Sequence, residues 1–169
     1  MSLQKLQNYC AKAERCEQDI RRKLMLWNVT QDEAQNIIDE LKKDGFIDEK
    51  RYCSAYIHDK MMFSKWGMTK IRAALLRKGI DRNIITQELE KYDEIGQNDK
   101  LKTILENKLK QLMRSERYAI LCQNGIDTDN YEYRKIYYEL KNKLLRHAAS
   151  QGYDYDTAQQ VISSVLNQE

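Results

Sequence analysis

The fold is indicated by a short junction that occurs three times, as Asn28-Val29-Thr30, Gly79-Ile80-Asp81 and Gly152-Tyr153-Asp154. Each junction starts with glycine or asparagine and reaches, two positions later, a side chain whose oxygen can cap a helix. Thr30-Gln31-Asp32-Glu33 also fits the capping-box pattern. The second and third junctions follow the first by 51 and 124 positions. A period near 50 residues has room for three short helices, so the sequence predicts one helical unit used repeatedly.

The apolar positions that follow the three caps align as copies of a single helical stripe. The aligned sets are Ala34, Ile85 and Ala158; Ile38, Leu89 and Ile162; and Leu41, Tyr92 and Val165. The first two copies continue in register through Gly45 and Gly96, then Asp48 and Asp99. We interpret each glycine as a helix end and each aspartate as the cap of a new helix. The third copy is shorter by one helix.

The sequence therefore predicts an all-α fold of tandem three-helix repeats in an elongated, curved arrangement, with a shortened third repeat. The apolar spacing predicts a first helix that carries Tyr9, Ala13, Cys16, Ile20 and Leu24 without interruption. The polar stretch that contains Asn124-Gly125 is expected to be a loop or linker insertion. The predicted limits are 1–63 and 64–113 for two full repeats, 114–131 for the insertion, and 132–169 for the incomplete third repeat.

Composition favours an ordinary helical globular protein. Of the 169 residues, 41% are hydrophobic and 33% are charged, and proline is absent. No apolar run approaches the roughly 20 residues that span a bilayer, and the N-terminus lacks the apolar stretch of a secretory signal. We expect a soluble, cytoplasmic monomer with no membrane contact. The four cysteines lack the short paired spacings of zinc sites, so we expect free thiols that pack as small hydrophobes.

The sequence gives little support for catalysis. It has no glycine-rich phosphate loop, and its two histidines lie far apart in the chain. Cys53 and His58 are five positions apart, whereas neighbouring side chains on a helix are three or four apart. We therefore predict no catalytic residue, no cofactor and no metal.

Charge is concentrated in one segment. The whole chain carries +3, but residues 50–82 contain nine basic side chains against two acidic ones. Such a segment can attract an acidic protein surface or a phosphate backbone, or it can be a solvated helix face. The candidate partner-binding residues are Arg51, Lys65, Lys70, Arg72, Arg77 and Lys78.

Two further features leave alternatives open. The stretch from Lys70 to Tyr92 has the size of a helix-turn-helix, which keeps a nucleic-acid-binding module that uses residues 50–82 on phosphates as an alternative. There are eleven tyrosines against two phenylalanines, and several of them cluster before the seventh predicted helix. Tyrosines there suit either helix packing or an interface.

The central segment resembles a known family. The motif is Phe46-Ile47-Asp48-Glu49-Lys50-Arg51-Tyr52-Cys53-Ser54-Ala55-Tyr56, followed by Lys65-Trp66-Gly67, Lys70-Ile71, Leu75 and Lys78-Gly79-Ile80. This pattern is similar to that of the bacterial RecX regulatory family, and the resemblance covers nearly the whole chain. Much of the motif also has a structural explanation, because Asp48 can cap a helix and Gly67 and Gly79 can form turns.

The resemblance implies an all-helical protein of three-helix repeats that binds the RecA recombinase filament and modulates its activity, most often by inhibition. It implies no catalytic residues. In that case the chain would lie along the filament groove, where it could also reach the DNA inside. Two departures from the family pattern are the long insertion at 114–131 and the missing last helix of the third repeat.

Overall fold

The structure is a computed structural model, and it describes residues 2–92, 94–124 and 130–166. Within these ranges the chain is all-α and contains no strand. The helices are α1 (Ser2–Lys12), α2 (Glu17–Leu26), α3 (Gln31–Lys43), α4 (Glu49–Met62), α5 (Met68–Arg77), α6 (Arg82–Leu89), α7 (Glu94–Met113), α8 (Glu116–Asn124), α9 (Tyr131–Gln151) and α10 (Tyr155–Leu166).

The chain forms two compact units. Unit 1 consists of residues 1–64 and 71–92, and unit 2 consists of residues 65–70 and 93–169. The predicted limits of 1–63, 64–113, 114–131 and 132–169 refer to repeats in the sequence and do not coincide with the boundaries of these two units. The repeat limits stay a prediction.

Unit 1 is built on amphipathic helices whose apolar stripes face inward. One cluster joins α1, α2 and α3 and contains Leu6, Cys10, Ile20, Leu24, Ala34, Ile38, Leu41 and Ile47. Side chains of α4, α5 and α6 are buried in the same unit, among them Ile57, Ile71 and Ile85. The burial of these side chains from water supplies the main stabilising term of the unit.

Unit 2 has its own core. Helices α7, α8, α9 and α10 contribute Leu101, Leu105, Leu109, Tyr118, Leu121, Leu140, Leu144, Ala148, Ala158, Val161, Ile162, Val165 and Leu166, and Tyr153 joins them from the turn before α10. The spacing of these residues in α7 and α9 is four positions, which places them on one face of each long helix.

The three repeated junctions are confirmed in backbone detail. Asn28, Gly79 and Gly152 all have positive φ, at 55°, 78° and 91°. The side chain of Thr30 accepts a hydrogen bond from the backbone N–H of Glu33 at 3.4 Å. The carboxylate of Asp81 accepts from the N–H groups of residues 83 and 84, and that of Asp154 accepts from the N–H of Thr157 at 2.8 Å. The same turn and cap therefore start α3, α6 and α10.

The single first helix predicted from Tyr9 to Leu24 is wrong. The chain leaves helical geometry between α1 and α2, and Cys16 is extended with φ −87° and ψ 161°. The thiol of Cys16 donates a hydrogen bond to Asp19 at 3.1 Å. Cys16 is fully buried although it lies outside both helices. Its apolar side chain therefore fits the spacing of the helical stripe even where the helix is interrupted. Periodicity alone could not reveal the interruption.

The second copy also departs from the prediction at its end. Gly45 does end a helix, with φ 75°, and Asp48 does cap α4 by accepting from the N–H of Arg51 at 2.8 Å. The equivalent Gly96 and Asp99, however, lie inside α7. The carbonyl of Asp99 accepts from the hydroxyl of Thr103, one turn later. The apolar face that follows favours a continuous helix because it packs into the core of unit 2.

The expected loop or linker at 114–131 is partly helical. Helix α8 occupies Glu116–Asn124, and its Tyr118 and Leu121 are buried in the core of unit 2. Residues 125–129 lie outside the described residues. The apolar pair supplies the physical reason, since an amphipathic turn next to a core gains stability by burying it.

Candidate partner-binding residues

The six predicted contact residues divide between the two units. Unit 1 holds Arg51, Arg72, Arg77 and Lys78, and unit 2 holds Lys65 and Lys70. Most of them make specific contacts within the chain. These contacts distinguish side chains that stabilise the fold from side chains that are free to meet a partner.

Arg51 joins three parts of unit 1. It lies in the first turn of α4, and its Nε donates to Glu14 Oε1 at 2.6 Å. Its Nη2 donates to the carbonyl of Gly45 at 2.9 Å, at the end of α3. The hydrogen bond with Glu14 raises the pKa of the guanidinium. About half of the side chain is exposed, so Arg51 can still present charge to a partner.

Lys78 is part of a half-buried network. Its Nζ lies 3.0 Å from Asp19 Oδ1 and 4.0 Å from the sulfur of Cys16. Burial alone would lower the pKa of Lys78, but hydrogen bonds to Asp19 and Tyr52 outweigh it and raise the pKa. For Asp19, burial acts to raise the pKa, while hydrogen bonds from Cys16 and Lys78 lower it overall. The ammonium of Lys78 is therefore committed to the contact between α2 and the end of α5.

Arg72 and Arg77 differ although both lie on α5. The Nη1 of Arg72 donates to the hydroxyl of Thr86 on α6 at 2.9 Å, so its guanidinium is held against α6. The side chain of Arg77 is exposed. Its backbone carbonyl accepts a hydrogen bond from the side chain of Gln18 at 3.2 Å, but among the described residues its guanidinium makes no hydrogen bond or ion pair. Arg77 is thus the most available cation of unit 1 among the predicted six.

Lys65 and Lys70 flank a close backbone contact in unit 2. The N–H of Gly67 donates to the carbonyl of Gln151 at 2.8 Å, and the N–H of Thr69 donates to the carbonyl of Gly152 at 3.2 Å. A β-carbon at Gly67 would overlap the carbonyl of Gly152. Only glycine fits at this position, which explains its place in the motif.

The two lysines contribute to this contact in different ways. Lys70 Nζ donates to the carbonyl of Ser150 at 3.0 Å and lies 4.4 Å from the ring centroid of Trp66. The carbonyl of Lys65 accepts from the hydroxyl of Tyr153 at 3.3 Å. Burial raises the pKa of that tyrosine to about 12, so its hydroxyl stays protonated and can donate. The side chain of Lys65 is exposed.

A groove of about 500 Å³ lies in unit 1 beside the pairs made by Arg51 and Lys78. Three tyrosine rings line it, together with Glu14, Arg15, Asp19, Asp59 and Lys78; the tyrosines are Tyr9, Tyr52 and Tyr56. The guanidinium of Arg15 lies 4.0 Å from the ring centroid of Tyr9. Charges of both signs line this groove, so charge alone selects no class of ligand for it.

The thiol of Cys53 and the imidazole of His58 are not brought together into a catalytic pair. Cys53 is fully buried, whereas His58 is exposed on the same helix. Burial raises the pKa of the Cys53 thiol to about 11. Cys10, Cys16 and Cys53 are free thiols, as predicted. In the part of the chain that the structure describes, no group of three or more His, Cys, Asp or Glu side chains is placed to hold a metal ion.

None of the helices formed by residues 2–92, 94–124 and 130–166 combines the length and the apolar character needed to cross a bilayer.

Comparison with known proteins shows which family the chain resembles. Residues 48–89 match the model of the second three-helix domain of RecX. A regulatory protein RecX from Clostridium botulinum strain Eklund 17B is 30% identical over 153 residues, which cover 90% of this chain and 63% of the relative. One from Clostridium perfringens strain 13 is 28% identical over 94% of this chain and 65% of its own length. The chain is similar to the RecX family over most of its length. It spans a little under two thirds of the length of these relatives.

Two solved RecX structures share the fold. The crystal structure of RecX from Lactobacillus salivarius superposes with a TM-score of 0.70 at 24% identity, covering 97% of this chain and 94% of the other. A second RecX structure gives a TM-score of 0.73 at 16% identity, covering 99% and 70%. The RecX match at residues 48–89 falls on α4, α5 and α6. It contains all six predicted contact residues, of which four lie in unit 1 and two in unit 2.

Proposed function

We propose that this protein is a member of the RecX family that binds the RecA recombinase filament and inhibits its ATPase and strand-exchange activities. The observation that carries the proposal is the similarity to relatives named as regulatory proteins RecX, supported by the RecX fold that matches over 97% of the chain. RecA is proposed as the partner because the central motif resembles that of the RecX family. The chain is also proposed to act by binding rather than by catalysis.

Contacts within the chain rank the candidate residues for this role. Arg77 and Lys65 have exposed side chains, and Arg51 is about half exposed. Arg72 and Lys70 are hydrogen-bonded within their units, and Lys78 is held by Asp19. We propose that Arg77 is the principal contact of unit 1, and that Arg72, five positions earlier on the same helix, adds to it. Arg51, Lys65, Lys70 and Lys78 remain candidates.

The test is the hydrolysis of ATP by RecA on single-stranded DNA, measured while the protein is titrated to micromolar concentration. We expect the rate to fall as the protein is added. The double variant Arg72→Glu, Arg77→Glu should lose most of this effect, because reversed charges repel the acidic surface that the native side chains would meet. Circular dichroism should show unchanged helicity.

The matched control is Lys5→Glu, Lys43→Glu, which makes the same change in net charge at two exposed lysines elsewhere. It should inhibit RecA like the native protein. The proposal is contradicted if the native protein leaves ATP hydrolysis and RecA binding unchanged. If residues 50–82 instead act on phosphates, the same double variant should lose affinity for naked DNA, and that affinity should fall steeply with salt.

A further inference from the structure

The outward face of α9 carries exposed aromatic side chains outside the segment that sequence reasoning singled out. Tyr131 and Tyr138 have 66% and 56% of their surfaces exposed. They are seven residues apart, which is about two helical turns, so they lie on the same face and about 10 Å apart along the axis. Tyr133 and Tyr137 instead pack against the core of unit 2. The tyrosine cluster thus divides into a packing pair and an exposed pair.

The exposed pair alternates with positive charge. Arg134, Lys135 and Arg146 are exposed and lie on the same side of α9 as the two tyrosines, over an axial length of about 22 Å. The guanidinium of Arg134 lies 6.0 Å from the ring centroid of Tyr131. For Lys135 and Arg146, the described residues provide no hydrogen bond or ion pair. We call this set of five side chains the α9 stripe.

Negative charge is kept off the α9 stripe. The helix has two acidic residues. Glu139 is neutralised by a two-pronged hydrogen bond from Arg117 of α8, with N to O distances of 2.7 to 3.0 Å. Glu132 lies about 100° around the helix from Tyr131. The stripe therefore presents cations and aromatic rings with no carboxylate between them.

We propose that the α9 stripe is a binding surface for single-stranded nucleic acid. Proteins that bind single strands without sequence preference combine basic side chains along the phosphate backbone with aromatic rings on which bases stack. Tyrosine and arginine are also frequent in protein interfaces. The two kinds of partner differ in the test, because stacking on bases makes the binding of a single strand depend on the rings. The inference does not rest on the proposed function, because it concerns the chain and nucleic acid alone.

The test is fluorescence anisotropy of a labelled 20-nucleotide oligo(dT) titrated with the full chain in about 50 mM salt, without RecA. We expect binding in the micromolar range. Tyr131→Ala with Tyr138→Ala should weaken it by about tenfold or more, because two stacking platforms are lost. Lys135→Gln with Arg146→Gln should also weaken it and should make the slope of log affinity against log salt shallower by about 1.4, which is about 0.7 for each lost phosphate contact on a single strand.

Matched variants control for aromatic and charge content. Tyr155→Ala removes a tyrosine that is 64% exposed at the start of α10 and outside the stripe. Lys5→Gln with Lys43→Gln removes two exposed positive charges from unit 1. Both should bind oligo(dT) like the native chain. The inference is overturned if the native chain fails to bind oligo(dT) at a protein concentration 100 times the expected dissociation constant. It is also overturned if the stripe variants bind as tightly as the controls. Poly-glutamate provides the remaining comparison. If it displaces oligo(dT) from the native chain and from the tyrosine variants equally well, the rings take no part in binding, and the stripe would be assigned to an acidic protein partner instead.

Discussion

Individual glycines in this chain have different structural roles, which depend on the atoms around them. Gly67 is placed where a β-carbon would overlap the backbone of Gly152, and neither backbone can move without breaking the hydrogen bonds that join them. Gly96 lies in the first turn of α7 with open space where a β-carbon would be. The same substitution at the two sites should therefore have opposite effects on stability.

We predict that Gly67→Ala lowers the free energy of unfolding by about 2 to 3 kcal/mol, which is typical of forced overpacking. Gly96→Ala should raise it by up to about 1 kcal/mol, because alanine favours the helix over glycine. Urea unfolding followed by circular dichroism measures both. A stable Gly67→Ala protein would mean that the contact between residues 67 and 152 is not formed in solution.

At the scale of elements, Lys78 shows why a cluster of basic residues is not yet a binding surface. It immediately follows α5 and pairs with Asp19 on α2, which is 59 positions away in the sequence. Loss of the ammonium would leave the half-buried carboxylate of Asp19 with the hydrogen bond from Cys16 but without a positive charge, and such a group keeps its desolvation cost.

We predict that Lys78→Met lowers the free energy of unfolding by about 1 to 2 kcal/mol. The loss should shrink below about pH 4, where protonation of Asp19 removes the charge that the lysine neutralises. Lys50→Met, an exposed lysine of α4, is the control and should be close to neutral. Normal stability together with a lost effect on RecA would instead make Lys78 a contact residue.

The same elements show how far sequence reasoning reaches. The caps at Thr30, Asp81 and Asp154 were predictable, because each depends on a turn and a side chain within a few residues. The break before Cys16 and the continuity of α7 through Gly96 were not, since tertiary packing decided them. The pairs of Lys78 with Asp19 and of Arg51 with Glu14 join residues distant in sequence, so no local pattern could show that these cations are engaged.

The stability of the molecule depends on pH through one of its two histidines, His147. His147 lies on α9, and burial followed by the nearby charge of Lys108 lowers its pKa in the folded protein. A histidine whose pKa is lower in the folded state binds fewer protons there than in the unfolded chain. The free energy of unfolding is therefore greatest above the ordinary histidine pKa of about 6.5 and falls as the pH drops below it.

We predict that the midpoint of urea unfolding decreases between pH 7.5 and 5.5 in the native protein and that His147→Gln reduces this decrease. His58→Gln replaces the other histidine, which is exposed on α4 of unit 1, and should leave the decrease as it is in the native protein. Since the carboxylates with lowered pKa, such as Asp19 and Asp154, titrate below this range, they do not contribute to it. A pH dependence that survives His147→Gln unchanged would show that protons are taken up elsewhere on unfolding, and that α9 does not bury this imidazole.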